Sequence, residues 1–546
     1  MSTTPVPASF PIPSDIEGFW VWAKGRLPRP AMPLTQEILY RAMTEGFSGA
    51  MDEWACPFGA QCRAINYYGF VTIAPFPLSS GTIEDRMARY KQTLDQVLPR
   101  MGELWAQEWL PSILPGLDRA RATDYAALSN AELWRSLDEM LRDFLERWTI
   151  HGYINFVTIS ASWFADFYNE TFAPEDPTEP YLLLQGFPTR SLDAGRGLWK
   201  LSRSITQSPA LQRLFEEQEP SELVAELEHS DEGRAFLREL WAYLDEFGWR
   251  SDAFELADPT WRENPTIPLN TLRGYISLDA SADPEVRFRA AVETREKLLD
   301  QARQRLTNSP DKLIRFNELY AMAHHYLLLT EDHNFYIDQI GNSVLRLPFL
   351  ELGRRLVRQG MLADQNDVFL LHLDDIRQGL SGADQRALIA QRQMEMAAWS
   401  QVVPPLTIGT PPPPSDDPWE EAILRKMLGV PPEPSRDPDV ITGTGASPGT
   451  VQGRAKVMHN LSEASKVQPG DILVCEMTMP AWTPLFSTVS AVVSDTGGVL
   501  SHCAIVSREY RIACVVGTIV GTTVIRDGML LTVDGSKGIV RIDSRG

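Results

Sequence analysis

Apolar residues recur at helical spacing through most of the chain before residue 400. In the clearest segment Ser129 and Glu132 form a capping-box pattern at the start of an amphipathic stripe. The stripe consists of Leu133, Leu137, Met140, Leu141, Phe144, Leu145 and Trp148. Residues 285–306, 311–330 and 349–360 show the same periodicity, and Gly360 stands where the last helix would end. The pattern predicts a mostly α-helical N-terminal region.

The periodicity changes after a proline-rich stretch. Residues 403–418 read VPPLTIGTPPPPSDDP and residues 430–440 read VPPEPSRDPDV, a proline density that no helix or central strand tolerates. Beyond them TVQGRAKVM, DILVCEM and SAVVSD are typical of strands, and MLLTVDGSKGIVRI predicts a hairpin around Asp534 and Gly535. A single helix, beginning near His502, is predicted among these strands. The predicted parts are a mainly helical domain over 1–402, a linker over 403–439 and a C-terminal α/β domain over 440–546.

Composition narrows the class of protein. With 546 residues, 43% of them hydrophobic and 23% charged, the chain is typical of a globular protein of two to four domains. A formal net charge of −21 argues against nucleic acid or an anionic membrane as a partner. The N-terminal MSTTPVPASFPIP lacks the basic and apolar regions of a secretory signal, and no membrane span is expected, so we expect a cytoplasmic protein. Five cysteines predict reduced thiols, with neither a disulfide framework nor a metal site.

A histidine at a predicted helix start is the most informative chemical feature. VVSDTGG indicates a strand entering a turn, in which Gly497 and Gly498 allow close approach to the backbone. Ser501 is suited to be the N-cap, which places His502 in the first helical turn. The free amides and the positive end of the helix dipole there stabilise an anion and disfavour the imidazolium. A neutral His502 can therefore carry a phosphoryl group. The alternative is a histidine that only caps the helix or packs in the core. The glycine pair, the cap and Arg508 favour the functional interpretation.

Five C-terminal motifs resemble the swivelling phosphohistidine domain of the phosphoenolpyruvate-utilising enzymes. They are GASPGTVQGRAKV at 445–457, GDILV at 470–474, TMPAWTPLF at 478–486, TGGVLSHCAIVSREYRIACVVG at 496–517 and VDGSKGIV at 533–540. In that family the matching histidine is phosphorylated at a nucleotide-binding domain and then moves to a second site. The resemblance implies that His502 is the phosphoryl carrier and that the linker is its tether. Its loop would be supported by Thr496, Gly497, Gly498, Ser501 and Arg508.

The sequence departs from the family pattern beside the histidine. The family commonly has alanine at Cys503 and Cys514, proline at Ala513 and glycine at Arg511. Arg511 falls where the helix should end, so a left-handed backbone there would cost roughly 1 kcal/mol. Cys503 is expected to be a small buried residue, with a redox-sensitive neighbour of His502 as the alternative.

N-terminal stretches resemble the substrate-binding domain of the rifampicin phosphotransferase family. They are MPLT at 32–35, LLQGFPTRSLDAGRGLWKLSR at 183–203, FGWRSDAFELADPTWRENP at 247–265 and LVRQGMLADQNDVFLLHLDDI at 356–376. Nothing in the sequence resembles the ATP-grasp domain of that family, a Walker-type loop or the phosphoenolpyruvate-binding barrel. The resemblance therefore implies one component of a split enzyme, as in phenylphosphate synthase and the 4-cresol-phosphorylating enzymes. ATP and Mg²⁺ would be bound mainly by an ATP-grasp partner chain.

The implied reaction is ATP-dependent phosphorylation of a small phenol or alcohol, in aromatic compound degradation, with AMP and phosphate as co-products. The acceptor hydroxyl must lose a proton, which requires a base or positioning group. The first candidates are Glu255 and His325 for this role and Arg250 for the charge on the moving phosphoryl group, followed by His324 and His151. Arg250 and Glu255 could equally form a structural ion pair, and His151 could simply end the amphipathic helix. His324 and His325 point about 100° apart on a helix, so at most one of them is expected to face a pocket.

Two other functions remain open at this point. One is a rifamycin-type antibiotic phosphotransferase whose ATP module is a separate chain, and the other is a non-enzymatic phosphocarrier or regulatory protein. The aromatic stretch HGYINFVTISASWFADFY at 151–168 would suit an aromatic acceptor, although core packing explains most such rings.

Overall fold

The computed structural model describes residues 10–156, 159–251, 253–413 and 435–545. The chain forms two compact units. The first holds the described residues of Met1–Val157, Ala253–Asp258 and Tyr336–Leu428, and the second those of Thr158–Asp252, Pro259–Phe335 and Gly429–Gly546. Residues 414–434, the centre of the predicted linker, lie outside the described ranges.

Helices account for most of the described chain before residue 400, and short helices also occur in the C-terminal domain. They are α1 (Pro33–Arg41), α2 (Phe47–Glu53), α3 (Ile83–Val97), α4 (Met101–Leu104), α5 (Leu110–Ala122), α6 (Asn130–Phe156), α7 (Ile159–Phe172), α8 (Glu179–Leu182), α9 (Arg190–Thr206), α10 (Pro209–Glu217), α11 (Leu223–Leu227), α12 (Asp231–Phe247), α13 (Thr266–Ile276), α14 (Pro284–Arg305), α15 (Pro310–His333), α16 (Gly341–Arg358), α17 (Leu373–Leu380), α18 (Arg386–Trp399), α19 (His502–Glu509) and α20 (Gly521–Val524).

Strands form one sheet in each unit. They are β1 (Trp20–Trp22), β2 (Phe58–Ile65), β3 (Tyr68–Pro75), β4 (Thr407–Ile408), β5 (Val440–Thr442), β6 (Thr444–Ser447), β7 (Thr450–Met458), β8 (Ile472–Cys475), β9 (Ala491–Ser494), β10 (Ala513–Val516), β11 (Leu530–Asp534) and β12 (Ile539–Ser544). The first sheet has the order β2-β3-β1-β4, and the second has the order β5-β12-β11-β7-β8-β9-β10-β6.

The capping box predicted at the start of α6 is confirmed. The Ser129 hydroxyl accepts the Glu132 N–H at 3.3 Å, and the Glu132 carboxylate accepts the Ser129 N–H at 2.8 Å. The interpretation of His151 as the end of this helix is wrong, because α6 continues to Phe156. Buried Tyr153 and Ile154 extend the apolar face past the histidine and keep the chain helical.

The four-stranded sheet of the first unit was not predicted. Strands β2 and β3 form a hairpin whose two loop residues, Asn66 and Tyr67, both have positive φ, 51° and 69°. Strand β4 lies inside the stretch predicted as linker and pairs with β1 at the edge of the sheet. An edge position is where a strand beside prolines can be accommodated.

The second sheet builds the C-terminal domain. Strands β7, β8, β9 and β10 are parallel, and the predicted hairpin is confirmed as antiparallel β11 and β12. Apolar side chains from these strands form one buried cluster that includes Ala455, Val474, Val493 and Val515. Strands β5, β6 and β10 and the short α20 were not predicted, so the expectation of a single helix in this domain is wrong.

The fold class is confirmed: a mostly helical N-terminal region is followed by an α/β domain with a mixed sheet. The helices predicted over 285–306, 311–330 and 349–360 correspond to α14, α15 and the second half of α16. In the described ranges, no helix combines the length and the apolar character that a membrane crossing requires.

Helix α19 ends in a Schellman arrangement at Arg511, which has φ of 54°. The Ile512 N–H donates to the Ser507 carbonyl at 3.0 Å, and the Arg511 N–H donates to the Arg508 carbonyl at 3.1 Å. Arg511 therefore has the left-handed backbone for which the sequence analysis gave a cost, and a Cβ atom is strained there.

Arg511→Gly is expected to stabilise the protein by about 1 kcal/mol, because glycine adopts positive φ without the Cβ clash. Thermal unfolding of the variant and wild type measures the difference. Arg511→Ala is the matched control, since it removes the exposed side chain but keeps Cβ, and it should leave the unfolding midpoint almost unchanged. Equal stabilisation by both substitutions would show that the side chain, and not the backbone, is the source.

Candidate functional site

The loop before α19 is shaped by a glycine and a capping serine. Ser501 has an extended backbone and accepts the Ala504 N–H at 3.4 Å, so it is the N-cap, as predicted. Gly497 has φ of 99°, and a Cβ on it would lie 2.9 Å from the Ser501 hydroxyl oxygen. Gly497 therefore makes room for the cap, whereas a Cβ on Gly498 would meet open space among the described residues.

Thr496 fixes the start of the same loop. Its N–H and its hydroxyl both donate to the Glu476 carbonyl, at 3.0 and 2.8 Å. Glu476 directly follows β8, so the loop is tied to the neighbouring parallel strand. The result is a firmly held helix start with His502 at the first helical position.

Both ring nitrogens of His502 have partners. Nδ1 lies 3.2 Å from each carboxylate oxygen of Glu331, and Nε2 lies 3.3 Å from the Thr483 hydroxyl. The His502 side chain is 8% exposed and that of Glu331 is 1% exposed. An ionised carboxylate only accepts hydrogen bonds, so the proton belongs on Nδ1 and the Nε2 lone pair accepts from Thr483. Nε2 is therefore the nitrogen with electrons available for a phosphorus atom.

Glu331 is the functional candidate that the sequence did not indicate. It lies near the end of α15, and Ser191 in the first turn of α9 also bonds its carboxylate. Burial raises the pKa of Glu331, but the charge and hydrogen bond of His502 and the bond from Ser191 outweigh burial and hold that pKa below its ordinary value. Its contact with His502 joins residues 171 positions apart, and local periodicity carries no signal for such a contact. Thr483, by contrast, lies inside the motif TMPAWTPLF and could have been found there.

Arg508 supports the helix and does not touch the imidazole. Its guanidinium donates to the Ala446 carbonyl at 2.7 Å and lies 5.4 Å from the centre of the Tyr181 ring. Burial lowers the pKa of Arg508 to about 10. These contacts hold α19 against β6, which differs from the expected role beside the phosphoryl group.

Arg250 is fully buried in the second unit. Its Nη1 lies 3.5 Å from the Pro480 carbonyl, and its guanidinium lies 5.1 Å from the Trp261 ring centre and 5.9 Å from that of Phe335. Within the described ranges its Nε and Nη2 have no hydrogen-bond partner. Burial lowers the pKa of Arg250 to about 10, so the group is still a cation at neutral pH.

Glu255 lies in the first unit, where its carboxylate accepts hydrogen bonds from nearby donor groups. It accepts the Met32 and Ala257 N–H groups, both at 2.9 Å, and the Thr35 hydroxyl. Burial, with a smaller contribution from Asp258, raises the pKa of Glu255 to about 7. A buried carboxylate bonded to two backbone amides is typical of a structural role, and this geometry favours that interpretation over a substrate contact.

The two adjacent histidines of α15 have different surroundings. The His324 ring stacks on Phe187, with ring centres 4.0 Å apart, and burial lowers the pKa of His324 to about 4. Both histidines are partly buried, and the His325 ring centre lies 5.6 Å from that of His324. His324 is thus a neutral packing residue, which leaves His325 as the remaining acceptor-site candidate of the pair.

His151 lies in the core of the first unit. Its Nδ1 is 3.0 Å from the Asp338 carboxylate, and its ring centre is 4.6 Å from that of Trp148. Further along the aromatic stretch, in the second unit, Phe164 is fully buried and packs on Phe316. These contacts favour core packing for the histidine and for this ring.

The thiol beside the candidate nucleophile is buried, as expected. Cys503 and Cys514 have their sulfur atoms 3.7 Å apart, and both are free cysteines. The hydrogen bond with Cys514, together with burial, raises the pKa of the Cys503 thiol. The thiol therefore packs as a small apolar group.

His502 thus stands at a capped helix start, on a mixed sheet and behind a glycine turn. Residues 467–538 match the family described as "PEP-utilising enzyme, mobile domain", and residues 149–331 match the "Rifampicin phosphotransferase fourth domain". The resemblance to the phosphoenolpyruvate-utilising enzymes is thereby confirmed for residues 467–538, which match the mobile domain of that family.

Three relatives are similar to most of this chain. Chondramide synthase cmdD of Chondromyces crocatus is 35% identical over 558 residues, covering 98% of this chain and 14% of the relative. The uncharacterized phosphotransferase YvkC of Bacillus subtilis is 29% identical over 537 residues, covering 97% and 63%. A rifampicin phosphotransferase from a Streptomyces species is 26% identical over 394 residues, covering 70% and 43%. The chain thus spans less than two thirds of the length of each of these relatives.

Proposed function

We propose that this chain carries a phosphoryl group on His502 and transfers it to the hydroxyl group of a small phenol or alcohol. The observation that carries the proposal is the contact of His502 with Glu331. The histidine starts a helix of the mobile domain, and the carboxylate belongs to the segment that matches the rifampicin phosphotransferase domain. Two of the similar proteins, YvkC and the rifampicin phosphotransferase, are named as phosphotransferases, which supports phosphoryl transfer as the reaction class.

In the first half-reaction Nε2 of His502 attacks a phosphoryl group of ATP. A nitrogen–phosphorus bond forms at the β-phosphorus as its bond to the AMP oxygen breaks and AMP leaves. Water then hydrolyses the anhydride bond between the β- and γ-phosphates, which releases phosphate and leaves one phosphoryl group on His502. We propose that an ATP-grasp-type partner chain binds the ATP and its Mg²⁺, and that Mg²⁺ neutralises charge on the phosphates. The described motifs include none that resembles an ATP-grasp domain or a Walker-type loop, which supports a separate partner of the kind found in the split phenylphosphate synthases.

In the second half-reaction the acceptor oxygen attacks phosphorus and the nitrogen–phosphorus bond breaks. The bonding electrons return to Nε2, which takes the proton released by the acceptor hydroxyl. The resulting imidazolium is stabilised by the carboxylate of Glu331 at Nδ1. Because Glu331 also keeps a proton on Nδ1 of phosphorylated His502, it makes the imidazole a better leaving group.

The proposed acceptor is a phenol or alcohol. The resemblance to the enzymes that phosphorylate phenol and 4-cresol supports it, and partly buried His325 is the candidate that best fits an acceptor contact. A rifamycin-type antibiotic is the second candidate, and the match of residues 149–331 to the rifampicin phosphotransferase domain favours it. The net charge of −21 supports an acceptor that is neither nucleic acid nor an anionic membrane.

The proposal is tested by phosphoryl transfer in two stages. The protein is first phosphorylated with ATP, Mg²⁺ and a candidate ATP-grasp protein, and the modified residue is located by mass spectrometry. Phenol, 4-cresol, an aliphatic alcohol and rifampicin are then offered separately, and phosphorylated products are measured. Transfer to phenol or the alcohol is the expected result. Transfer to rifampicin alone would show that the acceptor is a rifamycin-type antibiotic and not a small phenol or alcohol. Discharge only onto another protein would show that the chain is a phosphocarrier and would overturn the proposal.

A further inference from the structure

Arg250 is a buried cation with no acidic partner among the described residues. Its side chain is fully buried, and among the described residues no carboxylate pairs with it. Its one polar contact is the 3.5 Å approach to the Pro480 carbonyl, and its other contacts are aromatic rings. Burying an unpaired charge is costly, so a protein keeps one where an anion arrives during function.

A second guanidinium adds to the positive potential. Arg190 lies 4.7 Å from the centre of the Phe335 ring, the same ring that Arg250 contacts, and its charge lowers the pKa of Arg250 further after the larger effect of burial. Arg190 is paired with Glu246 at 2.6 Å. The carboxylate of Glu246 therefore compensates Arg190, and the described residues leave Arg250 with the uncompensated charge.

Arg250 and His502 contact the same turn of the mobile domain. The segment Pro480–Ser487 is a 3₁₀ helix, in which residues three apart lie above one another. Pro480 approaches Arg250, and Thr483, one turn further on, faces Nε2 of His502. The guanidinium of Arg250 and Nε2 of His502 thus approach residues that lie one turn apart on the same 3₁₀ helix.

We propose that Arg250, with Arg190 beside it, is the binding site for the phosphoryl group of phosphorylated His502. The dianion supplies the counter-charge that Arg250 lacks, so phosphorylation strengthens the packing of the mobile domain on the helical segment of the second unit. Loss of the phosphoryl group to an acceptor weakens that packing again. The inference rests on the proposed function only in taking His502 as the phosphorylated residue.

A backbone amide reports whether the mobile domain is packed in this position. The Gly186 N–H donates to both carboxylate oxygens of Glu509, at 2.9 Å each, and Glu509 is the last residue of α19. The amide exchanges with solvent deuterium only when this contact opens. Its exchange rate therefore measures the packing equilibrium without requiring an acceptor or a partner chain.

The experiment uses potassium phosphoramidate as the phosphoryl donor. Ammonia leaves as the nitrogen–phosphorus bond forms on His502, and mass spectrometry gives the extent and the position of modification. We expect the Gly186 amide to exchange about tenfold more slowly in the phosphorylated protein, a typical size for coupling between two sites. His502→Ala treated in the same way is the control and should exchange at its untreated rate.

Arg250→Met tests the charge itself. The phosphorylated variant should show no slowing at Gly186, whereas Arg250→Lys, which keeps a cation, should retain part of it. Circular dichroism verifies the fold of both variants. If Arg250→Met does not fold, the slowing measured in Arg250→Lys relative to wild type is the test of the inference. Unchanged exchange in phosphorylated wild type, or full slowing in Arg250→Met, would overturn the inference while leaving His502 as the carrier. A phosphoryl group found on another residue would instead overturn both the inference and the proposed function.

Discussion

His502→Ala is expected to reduce phosphorylation of the protein by about 10³-fold or more, because removal of a nucleophile leaves no atom to form the covalent bond. The nitrogen concerned is Nε2, whose lone pair is directed by the proton that Glu331 keeps on Nδ1. Labelling with ATP and an ATP-grasp partner is measured before and after acid treatment, since a phosphoramidate bond is acid-labile and a serine phosphate is not. The label on wild type should disappear in acid, and the variant should carry none.

His459→Ala is the matched control for this experiment. His459 belongs to the same domain, is exposed, and is paired with Glu476 at 2.7 Å. It has an imidazole but no capped helix start, so its removal should leave labelling intact. If acid-labile label persists in His502→Ala and disappears in His459→Ala, the carrier is His459 and the assignment to His502 is wrong.

Glu331→Gln is expected to slow the discharge of phosphorylated His502 to an acceptor by roughly 10²-fold. The first phosphorylation should proceed normally, because the amide oxygen of glutamine still accepts the Nδ1 proton and leaves the lone pair on Nε2. The amide keeps the size of the side chain but lacks the charge that stabilises a proton on Nδ1. Single-turnover discharge of the isolated phosphoprotein measures the effect, and the extent of labelling by ATP measures the other half-reaction. Equal losses in both half-reactions would indicate a structural role for Glu331.

The same carboxylate predicts a pH dependence of the contact. Because the pKa of Glu331 beside His502 is held below its ordinary value, the contact is stabilised above that ordinary value and is lost as the pH falls through the lowered one. Deuterium exchange at the start of α19 should therefore rise on acidification below about pH 4.5, and less so in Glu331→Gln. Asp332→Asn, at the next position, is the control and should leave the contact with His502 in place.

Local signals in the sequence were sufficient for the helix start. Ser501, Gly497 and His502 lie within six positions, and capping and positive φ are properties of short segments. The hairpin at Asn66 and Tyr67 was missed because this local signal is absent there: a tyrosine with positive φ is not a residue that indicates a turn.

Contacts between distant segments could not be derived in this way. Glu331 resembles any acidic residue of an amphipathic helix until folding brings it to His502. Arg250 was predicted to matter, but the reason, a buried charge without an acidic partner among the described residues, is visible only in three dimensions. Glu255 lies in the same motif and yet is saturated by hydrogen bonds from Met32, Thr35 and Ala257.

The loop that receives Glu509 is rigid for reasons that do not depend on the mobile domain. Arg295 donates to the carbonyls of Gln185 and Gly186, at 3.1 and 2.5 Å. Gly186 has φ of 73°, and a Cβ there would lie 2.7 Å from the Val292 nitrogen, so the position requires glycine on both grounds. In the proposed reaction, a carrier domain that arrives at this loop therefore loses little additional conformational entropy there. Repeated transfer under that proposal is compatible with fast turnover, since the receiving surface keeps its shape while the carrier is elsewhere.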